Sequence, residues 1–396
     1  MAGRVYFDNA ASTPLDPRVA EAMQPHLAGA FGNPSSLHCE GREARESVAF
    51  ARRQVAGLLH AEPGEILFTG SGTESDNMAL LGVIEALGRE RNHVVTSAIE
   101  HPAILETCRF LERHRVEVTF LPVDGDGLVD PDDLIKAMRP TTRLVSVMAA
   151  NNVVGTVQPI QELGTIAREH GVPFHTDAVQ AAGKIPLDVR TQPIDLLSLS
   201  PHKLHGPKGV GALYLREGIP LAPLVHGGGQ ERGLRSATEN VAGIAGLGRA
   251  AEIAAAGMAD EAVRLVKLRD HLIESVTALI PNTYLIGHRY RRLPGHVCFG
   301  FSGLEGEAIK LLLALDSAGV AVSSGSACSA QHASEPSHVL QAMGYDPLRA
   351  RGSLRVTLGR FNTEADVDRF LQALPEAIRT LRPVTSYPAM TTKGRI

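Results

Sequence analysis

Four short motifs carry most of the side chains in this 396-residue chain that could perform chemistry. They are SGTESDN at 71–77, HTDAVQ at 175–180, SPHKLHG at 200–206 and SSGSACS at 323–329. Each follows an apolar run with the composition of a β-strand. Ligands of open α/β sheets bind beyond the carboxyl ends of the strands, so the placement of these motifs indicates a ligand site.

The first motif has the composition of a phosphate-binding helix start. Gly72 allows close approach of the backbone, while the first N–H groups of the helix and the Thr73 hydroxyl can bind an anion. The alternative is an ordinary helix cap, in which Thr73 or Ser75 caps the helix and Glu74 interacts favourably with its dipole. No lysine follows the glycines, so the motif is not a Walker A loop, and it lacks a GxGxxG pattern.

The second and third motifs place a carboxylate and a lysine at strand ends. Asp177 could hold a pyridine nitrogen protonated, or it could equally cap a helix or form a surface ion pair. Lys203, held in a cleft, could form a Schiff base and act as a base. Ser200 and His202 could donate hydrogen bonds to an anion, whereas the rival Lys208 lies in a GPKG loop where exposure is expected.

Three further side chains could complete such a site. His101 follows the strand HVVTS and could stack on a flat ring or move protons, or simply cap a helix. Asn152 and Gln180 offer amides to a hydroxyl or a ring oxygen, although either could be a turn residue. Cys328 lies among Ser, Gly and Ala, a context typical of an exposed, reactive thiol. The combined set fits pyridoxal phosphate.

The elements around these motifs predict an α/β fold. From about residue 40 to 215, helical patterns alternate with apolar strands, which indicates a mostly parallel sheet. Amphipathic helices and a strand after residue 260 predict a smaller α+β domain. We expect a large domain at 15–260 and a small one built from 1–14 and 261–396, which would include the Cys328 loop.

Composition excludes several functional classes. Apolar residues make up 44% and charged residues 21%, and the net charge of −4 gives no basic excess for nucleic-acid binding. No signal-like apolar segment or uncharged membrane-length run is evident, so we expect a cytoplasmic protein without membrane contact. Four cysteines without a CxxC pair argue against a metal site. Cys39, Cys108 and Cys298 are expected to be free thiols.

The motifs resemble those of the cysteine desulfurases, pyridoxal-phosphate enzymes of the aminotransferase-like fold. The resemblance covers nearly the whole chain, from DNAASTP at 8–14 and GNPSSLH at 32–38 to ANNVVGTVQP at 150–159 and GGGQERGLRSATEN at 227–240. It implies fold type I with a seven-stranded, mostly parallel sheet. The short SSGSAC form is similar to the subgroup that supplies iron–sulfur cluster assembly.

The resemblance also implies a role for each site residue. Lys203 would hold the cofactor as a Schiff base, Asp177 would pair with its pyridine nitrogen and His101 would stack on its ring. The remaining cofactor contacts are implied for Gly72, Thr73, Ser200, His202, Gln180 at the phenolic oxygen, Asn152, and Thr238 of the partner subunit in a homodimer.

Substrate and sulfur chemistry are implied in the same way. Arg355 would bind the carboxylate of L-cysteine with Asn152 beside it, His101 would help to deprotonate the substrate thiol, and Cys328 would take the sulfur as a persulfide. An iron–sulfur scaffold or another acceptor protein, including one for tRNA thiolation, would receive it.

Two departures and three alternatives accompany this interpretation. Val153 replaces a glutamate that is common in the family, and Ala237 replaces a glycine next to Thr238. A lyase acting on selenocysteine or cysteine sulfinate shares nearly every motif but need not use Cys328. An aminotransferase has no use for the SSGSACS loop, and a non-catalytic scaffold would not need Lys203.

Overall fold

The computed structural model describes residues 3–88, 93–325 and 335–381. The chain begins with strand β1 (Val5–Tyr6) and helices α1 (Pro17–Ala28) and α2 (Cys39–Leu59). A large α/β region then comprises β2 (Ile66–Thr69), α3 (Gly72–Leu87), β3 (His93–Ser97), α4 (Pro102–Arg113), β4 (Glu117–Leu121), α5 (Pro131–Ala137), β5 (Thr142–Ser146), α6 (Ile160–Glu169), β6 (Phe174–Asp177), β7 (Leu196–Leu199) and β8 (Gly211–Leu215).

Strands β2 to β8 form one seven-stranded sheet in the order β2-β8-β7-β6-β5-β3-β4. The β3–β4, β3–β5, β5–β6 and β6–β7 pairs are parallel, while β8 runs antiparallel to both β2 and β7. The predicted α/β fold with a mostly parallel seven-stranded sheet is therefore confirmed. The strand order reverses between β3 and β5, because β3 is followed by β4 on one side and β5 by β6 on the other; a ligand crevice is expected there.

Both faces of this sheet are buried, as an α/β sheet requires. Successive strand residues point to opposite faces, so Leu67 and Leu144 join a core formed with α3 and α4. Their neighbours Phe68 and Val145 join the other core, which includes α2. Both faces are covered by helices, which leaves the strand ends as the place where polar side chains can meet a ligand.

A single long helix, α7 (Val241–Leu279), follows the sheet and packs against α1 and α2. It passes through residue 260, where the sequence predicted a domain boundary; that boundary remains a prediction. By length and composition alone α7 could span a membrane, but half of its apolar window is buried within the protein. A core helix of a globular protein has the same properties.

The C-terminal part adds β9 (Thr283–Leu285), β10 (His296–Phe301), α8 (Ala308–Ser317), β11 (Val320–Ala321), β12 (Ser323–Ser324), α9 (His338–Ala342), α10 (Pro347–Ala350), β13 (Leu354–Thr357) and α11 (Glu364–Leu381). Strands β12, β13, β10 and β9 form an antiparallel sheet, and β11 pairs with β1. Phe7 and Phe370 meet edge to face at 5.9 Å between ring centroids, a contact worth about 1 kcal/mol beyond burial. The N-terminal segment is thus anchored to the C-terminal sheet.

Candidate active site

A cleft of about 440 Å³ lies at the carboxyl ends of the central strands. It brings together ten residues that the sequence singled out: Gly72, Thr73, His101, Asn152, Asp177, Gln180, Ser200, His202, Lys203 and Arg355. They come from separate strand ends and from β13. The structure therefore brings these motifs together in one cleft.

One end of the cleft has the chemistry of an anion site. Helix α3 begins there at Gly72, and the Ser71 hydroxyl caps it by accepting the N–H of Glu74 at 3.1 Å. Thr73 and Ser75 are therefore inside the helix, and the alternative that either of them is the cap is wrong. A Cβ on Gly72 would come within 2.7 Å of Val179, so only glycine fits this close approach.

His202 and Lys208 also line the cleft. Burial, followed by the charges of Lys203 and Lys208, lowers the pKa of His202 to about 4. At neutral pH the imidazole is neutral and can give an anion one hydrogen bond, while Lys208 supplies positive charge from an exposed position. The exposure expected for Lys208 is confirmed, but the sequence did not place it in the cleft.

Lys203 lies in a short 3-10 turn directly after β7. Its Nζ donates to the carbonyl oxygens of Ala10 and Ala11, both at 2.7 Å. These carbonyls come from the segment that follows β1, almost two hundred residues earlier in the chain. The N-terminal segment thus holds the lysine amine at the cleft wall.

Asp177 is the last residue of β6 and is buried, with Oδ1 accepting the N–H of Val179 at 2.9 Å. Burial raises its pKa, while the charges of His101 and Lys203 oppose that rise. A buried carboxylate is most stable next to a cation. The position therefore favours a cationic ligand atom.

Two buried acids near Asp177 were missed by the sequence analysis. Asp76, in α3, lines the cleft, and its Oδ1 has no hydrogen-bond partner among the described residues. Burial and the charge of Asp177 raise its pKa well above the ordinary value. Burial likewise raises the pKa of Glu100 to about 8. The only sequence signals were that Asp76 lies inside the motif SGTESDN and that Glu100 directly precedes His101.

His101 caps helix α4, as one of the two interpretations predicted, and it lines the cleft as well. Its Nδ1 accepts the N–H of Ala103 at 3.1 Å. The neutral ring must therefore carry its proton on Nε2. In this orientation the imidazole is a proton donor on its second nitrogen.

Arg355, in β13, is the buried cation of the cleft. Its Nη2 donates to Asp8 at 2.8 Å and its Nη1 to the carbonyl of Asn152 at 3.0 Å. The Nε atom is buried without a partner among the described residues. An arginine fixed on two sides, with an unused N–H, suits a planar carboxylate. The sequence analysis missed Asp8, which lies 347 positions away in the chain.

Two predicted residues are not among the described residues that line the cleft. Thr238 is exposed and does not line the cleft of its own chain. Cys328 falls outside the described residues, so its predicted position is untested. The described neighbours of its loop, Ser323 and Ser324, pair with β13 opposite Arg355 and Leu354. The described residues that precede this segment therefore lie beside the strand that carries the cleft arginine.

The cleft residues fit pyridoxal phosphate. The start of α3, with Thr73 beside it, suits a phosphate, and the lysine amine lies in the same cleft. Asp177 and Asp76 form a buried acidic wall, and a protonated pyridine nitrogen would complement the carboxylate of Asp177.

The family model described as aminotransferase class-V matches residues 5–370. The chain belongs to this family. Cysteine desulfurase IscS from Dictyoglomus turgidum is 51% identical to it over 387 residues, which cover 98% of each chain. Cysteine desulfurase IscS from Methanosarcina thermophila is 50% identical, over 96% of this chain and 93% of that one. The resemblance to cysteine desulfurases predicted from the motifs is confirmed.

Solved structures of related proteins have the same fold. A NifS-like protein superposes with a TM-score of 0.89 at 41% identity, covering 96% of this chain and 100% of that one. A structure described as SspA in complex with cysteine gives a TM-score of 0.79 at 37% identity, over 91% of this chain and 100% of that one.

Proposed function

We propose that this chain is a pyridoxal-phosphate-dependent cysteine desulfurase. It converts L-cysteine to L-alanine and takes the sulfur onto Cys328 as a persulfide. The observation that carries the proposal is the single cleft that joins Lys203, the buried acid Asp177 and the start of α3. Full-length relatives named cysteine desulfurase support the same reaction.

Lys203 would hold the cofactor and move the proton of the substrate Cα. Pyridoxal phosphate supplies an electron sink that makes the Cα–H bond of an amino acid acidic. The Lys203 amine must first leave the carbonyls of Ala10 and Ala11, and it can return to them whenever it is released. These carbonyls keep the free amine beside the reacting carbon, which is the positioning that a general base needs.

Asp177 would hold the pyridine nitrogen in its protonated form. In contact, opposite charges shift a pKa by about 1–3 units in favour of the charged forms. Burial and the charge of Asp177 raise the pKa of the neighbouring Asp76, so a charged Asp177 favours the neutral form of Asp76. This preference would limit the repulsion between the two adjacent acids.

Arg355 would bind the carboxylate of L-cysteine through its unused N–H groups. Asp8 and the Asn152 carbonyl hold the guanidinium on two sides, so little conformational entropy is lost when the substrate binds. This arrangement selects an α-amino acid and fixes its side chain relative to Lys203.

The sulfur step is a transfer between two thiols. The Cys328 thiolate attacks the substrate sulfur, the bond between that sulfur and Cβ breaks, and its electron pair remains on the carbon skeleton that becomes alanine. Cysteine plus the protein thiol thus gives alanine plus the protein persulfide, and no external oxidant is required.

His101 has a restricted role in that step. Its Nδ1 is engaged by Ala103, so the ring donates from Nε2 as it stands. To accept the proton of the substrate thiol it must turn and give up that hydrogen bond, at a cost of about 1 kcal/mol. In the orientation observed, the neutral ring is a hydrogen-bond donor rather than a base.

The experiment that tests the proposal measures alanine and protein persulfide after L-cysteine is added to cofactor-loaded enzyme. Lys203→Ala should form neither product. Cys328→Ser should form no persulfide, whereas Cys39→Ser, which alters an exposed thiol outside the cleft, should form both. Alanine and free sulfide at the unaltered rate from Cys328→Ser would instead establish a direct-elimination lyase.

We further propose a cytoplasmic homodimer that passes sulfur to an iron–sulfur scaffold or another acceptor protein. Thr238 is exposed outside its own cleft, as a residue that completes the cleft of a partner subunit would be. Phe31 and Leu37 are about 80% exposed, and large apolar side chains of this kind are frequent at subunit interfaces. Sedimentation of the loaded enzyme tests the dimer.

A further inference from the structure

Gln180, at the wall of the cleft, forms a hydrogen-bonded pair with Lys184, which lines a second cavity that also includes Lys203. The Lys184 Nζ donates to Gln180 Oε1 at 3.2 Å. The Gln180 Nε2 donates to the carbonyl of Ala10 at 2.9 Å. The same carbonyl accepts from Lys203 Nζ at 2.7 Å. Its two lone pairs are then both engaged, and one carbonyl links the amide of Gln180 to the catalytic lysine.

This network allows only one orientation of the Gln180 amide while Lys184 is protonated. In the flipped orientation the amide N–H groups would face the ammonium of Lys184, and two hydrogen-bond donors would then oppose each other. Its oxygen would face the Ala10 carbonyl, an acceptor against an acceptor. The observed orientation leaves the second N–H of Nε2 available to the cleft, which Gln180 lines.

The backbone holds the pair rigidly. After β6 the chain makes a tight turn in which Ala181 N–H bonds to the carbonyl of Ala178 at 2.9 Å and Lys184 N–H to that of Ala181 at 3.0 Å. Gly183 has a φ of +73°, and a Cβ there would come within 2.9 Å of Ala254 in α7. The turn therefore packs closely on α7, and residues 180 and 184 stay on one side of it.

We infer that Lys184 is a positioning residue: it fixes the Gln180 amide so that Nε2 presents an N–H to the phenolic oxygen of pyridoxal phosphate. The inference rests on the proposed cofactor and adds a residue that does not line the main cleft. Lys184 acts only through Gln180 and takes no part in the proton transfers.

The groups around Lys184 determine its pKa. Burial, then the charge of Lys203, lowers the pKa of Lys184 to about 7, while Glu261 opposes that change. The charged and titratable groups that share its cavity or act on it are Lys203, His205, Glu261, His296, Arg355 and Arg360. Cofactor binding should therefore be measured at pH 6.5, where most Lys184 side chains are protonated.

The test is a double-mutant cycle on the dissociation constant of pyridoxal phosphate at pH 6.5. Lys184→Met removes the donor, Gln180→Ala removes the amide, and a third variant carries both changes. We expect each single change to weaken cofactor binding about three- to tenfold, the effect of one hydrogen bond. The double variant should bind within about twofold of Gln180→Ala, because Lys184 has nothing left to position.

Two controls separate positioning from folding. Lys184→Arg keeps an N–H donor and should restore most of the affinity that Lys184→Met loses. Lys136→Met removes an exposed lysine in α5 and should bind the cofactor like the unaltered chain. Thermal unfolding of the cofactor-free variants confirms that each is folded.

Three outcomes overturn the inference: Lys184→Met binds like Lys136→Met, the two single effects add in the double variant, or Lys184→Arg is as weak as Lys184→Met. If the unaltered chain binds cofactor and forms alanine, any of these refutes the role of Lys184 alone. If the unaltered chain binds no cofactor, the proposed function and the inference both fail.

Discussion

Asp177→Asn should change the stability of the cofactor-free and cofactor-loaded enzyme in opposite directions. Without cofactor, Asp177 is a buried acid whose pKa is raised by burial. A carboxyl group whose pKa is higher in the folded than in the unfolded state costs stability as pH rises above its unfolded value of about 4. Asparagine has no such charge, so the cofactor-free variant should be more stable at pH 8.

The loaded enzyme should respond in the other direction. The contact of Asp177 with a pyridinium is worth about 1.4–4 kcal/mol, which corresponds to 1–3 pKa units. Its loss should lower the rate of alanine formation about 10- to 1000-fold and weaken cofactor-dependent stabilisation. If Asp177→Asn forms alanine this much more slowly while its cofactor-free form is more stable, the role of Asp177 is electrostatic and not structural.

Thermal scans with and without cofactor, at pH 5 and pH 8, measure both effects. The cofactor-free variant should unfold roughly 1–3 °C above the unaltered chain at pH 8, and the difference should shrink at pH 5. Asp316→Asn, at an exposed ion pair far from the cleft, is the matched control and should show neither effect. A lower unfolding temperature for cofactor-free Asp177→Asn at pH 8, or an unchanged rate of alanine formation, would refute the reasoning.

Three further predictions concern the buried acid Glu100 and two residues that line the cleft, Arg355 and Thr73. Burial raises the pKa of Glu100 from 4.5 to about 8. The charged form therefore lowers the free energy of unfolding by up to about 5 kcal/mol as pH rises from 4.5 past 8. Glu100→Gln should reduce the loss of stability between pH 5 and 9, as denaturant titrations would show. Arg355→Lys loses the planar fork and should raise the KM for L-cysteine about 10- to 100-fold with a smaller change in kcat, as steady-state kinetics would show; an unchanged KM would argue against the carboxylate contact. Thr73→Ala should weaken pyridoxal phosphate binding about three- to tenfold in equilibrium dialysis, and equal affinity would place the phosphate elsewhere.

Strand-end motifs made much of this site predictable from the sequence. Asp177 ends β6 and Lys203 follows β7, so their convergence is a consequence of parallel neighbouring strands. The strand predicted at HVVTS is β3, which lies inside the seven-stranded sheet. These features are local in the sequence, and the pairing of parallel strands brings the residues at the strand ends close together.

Long-range contacts were not predictable in the same way. The Ala10 and Ala11 carbonyls that hold Lys203, and the Asp8 carboxylate that holds Arg355, involve backbone groups or residues with no local signal of their role. Asp76 lies inside the α3 motif, but the rise in its pKa comes from burial and from the charge of Asp177, which the motif does not show. The helix start was also placed too late, because Ser71 rather than a residue within the helix supplies the cap.

A single turnover with L-cysteine that carries a heavy sulfur isotope tests the central claim most directly. Cofactor-loaded enzyme is mixed with less than one equivalent of the labelled amino acid, quenched by alkylation and digested, and the peptides are analysed by mass spectrometry alongside alanine. We predict one labelled sulfur atom on the peptide that contains Cys328 for each alanine formed. Alanine with the label found only as free sulfide, or on Cys39, would contradict transfer to Cys328.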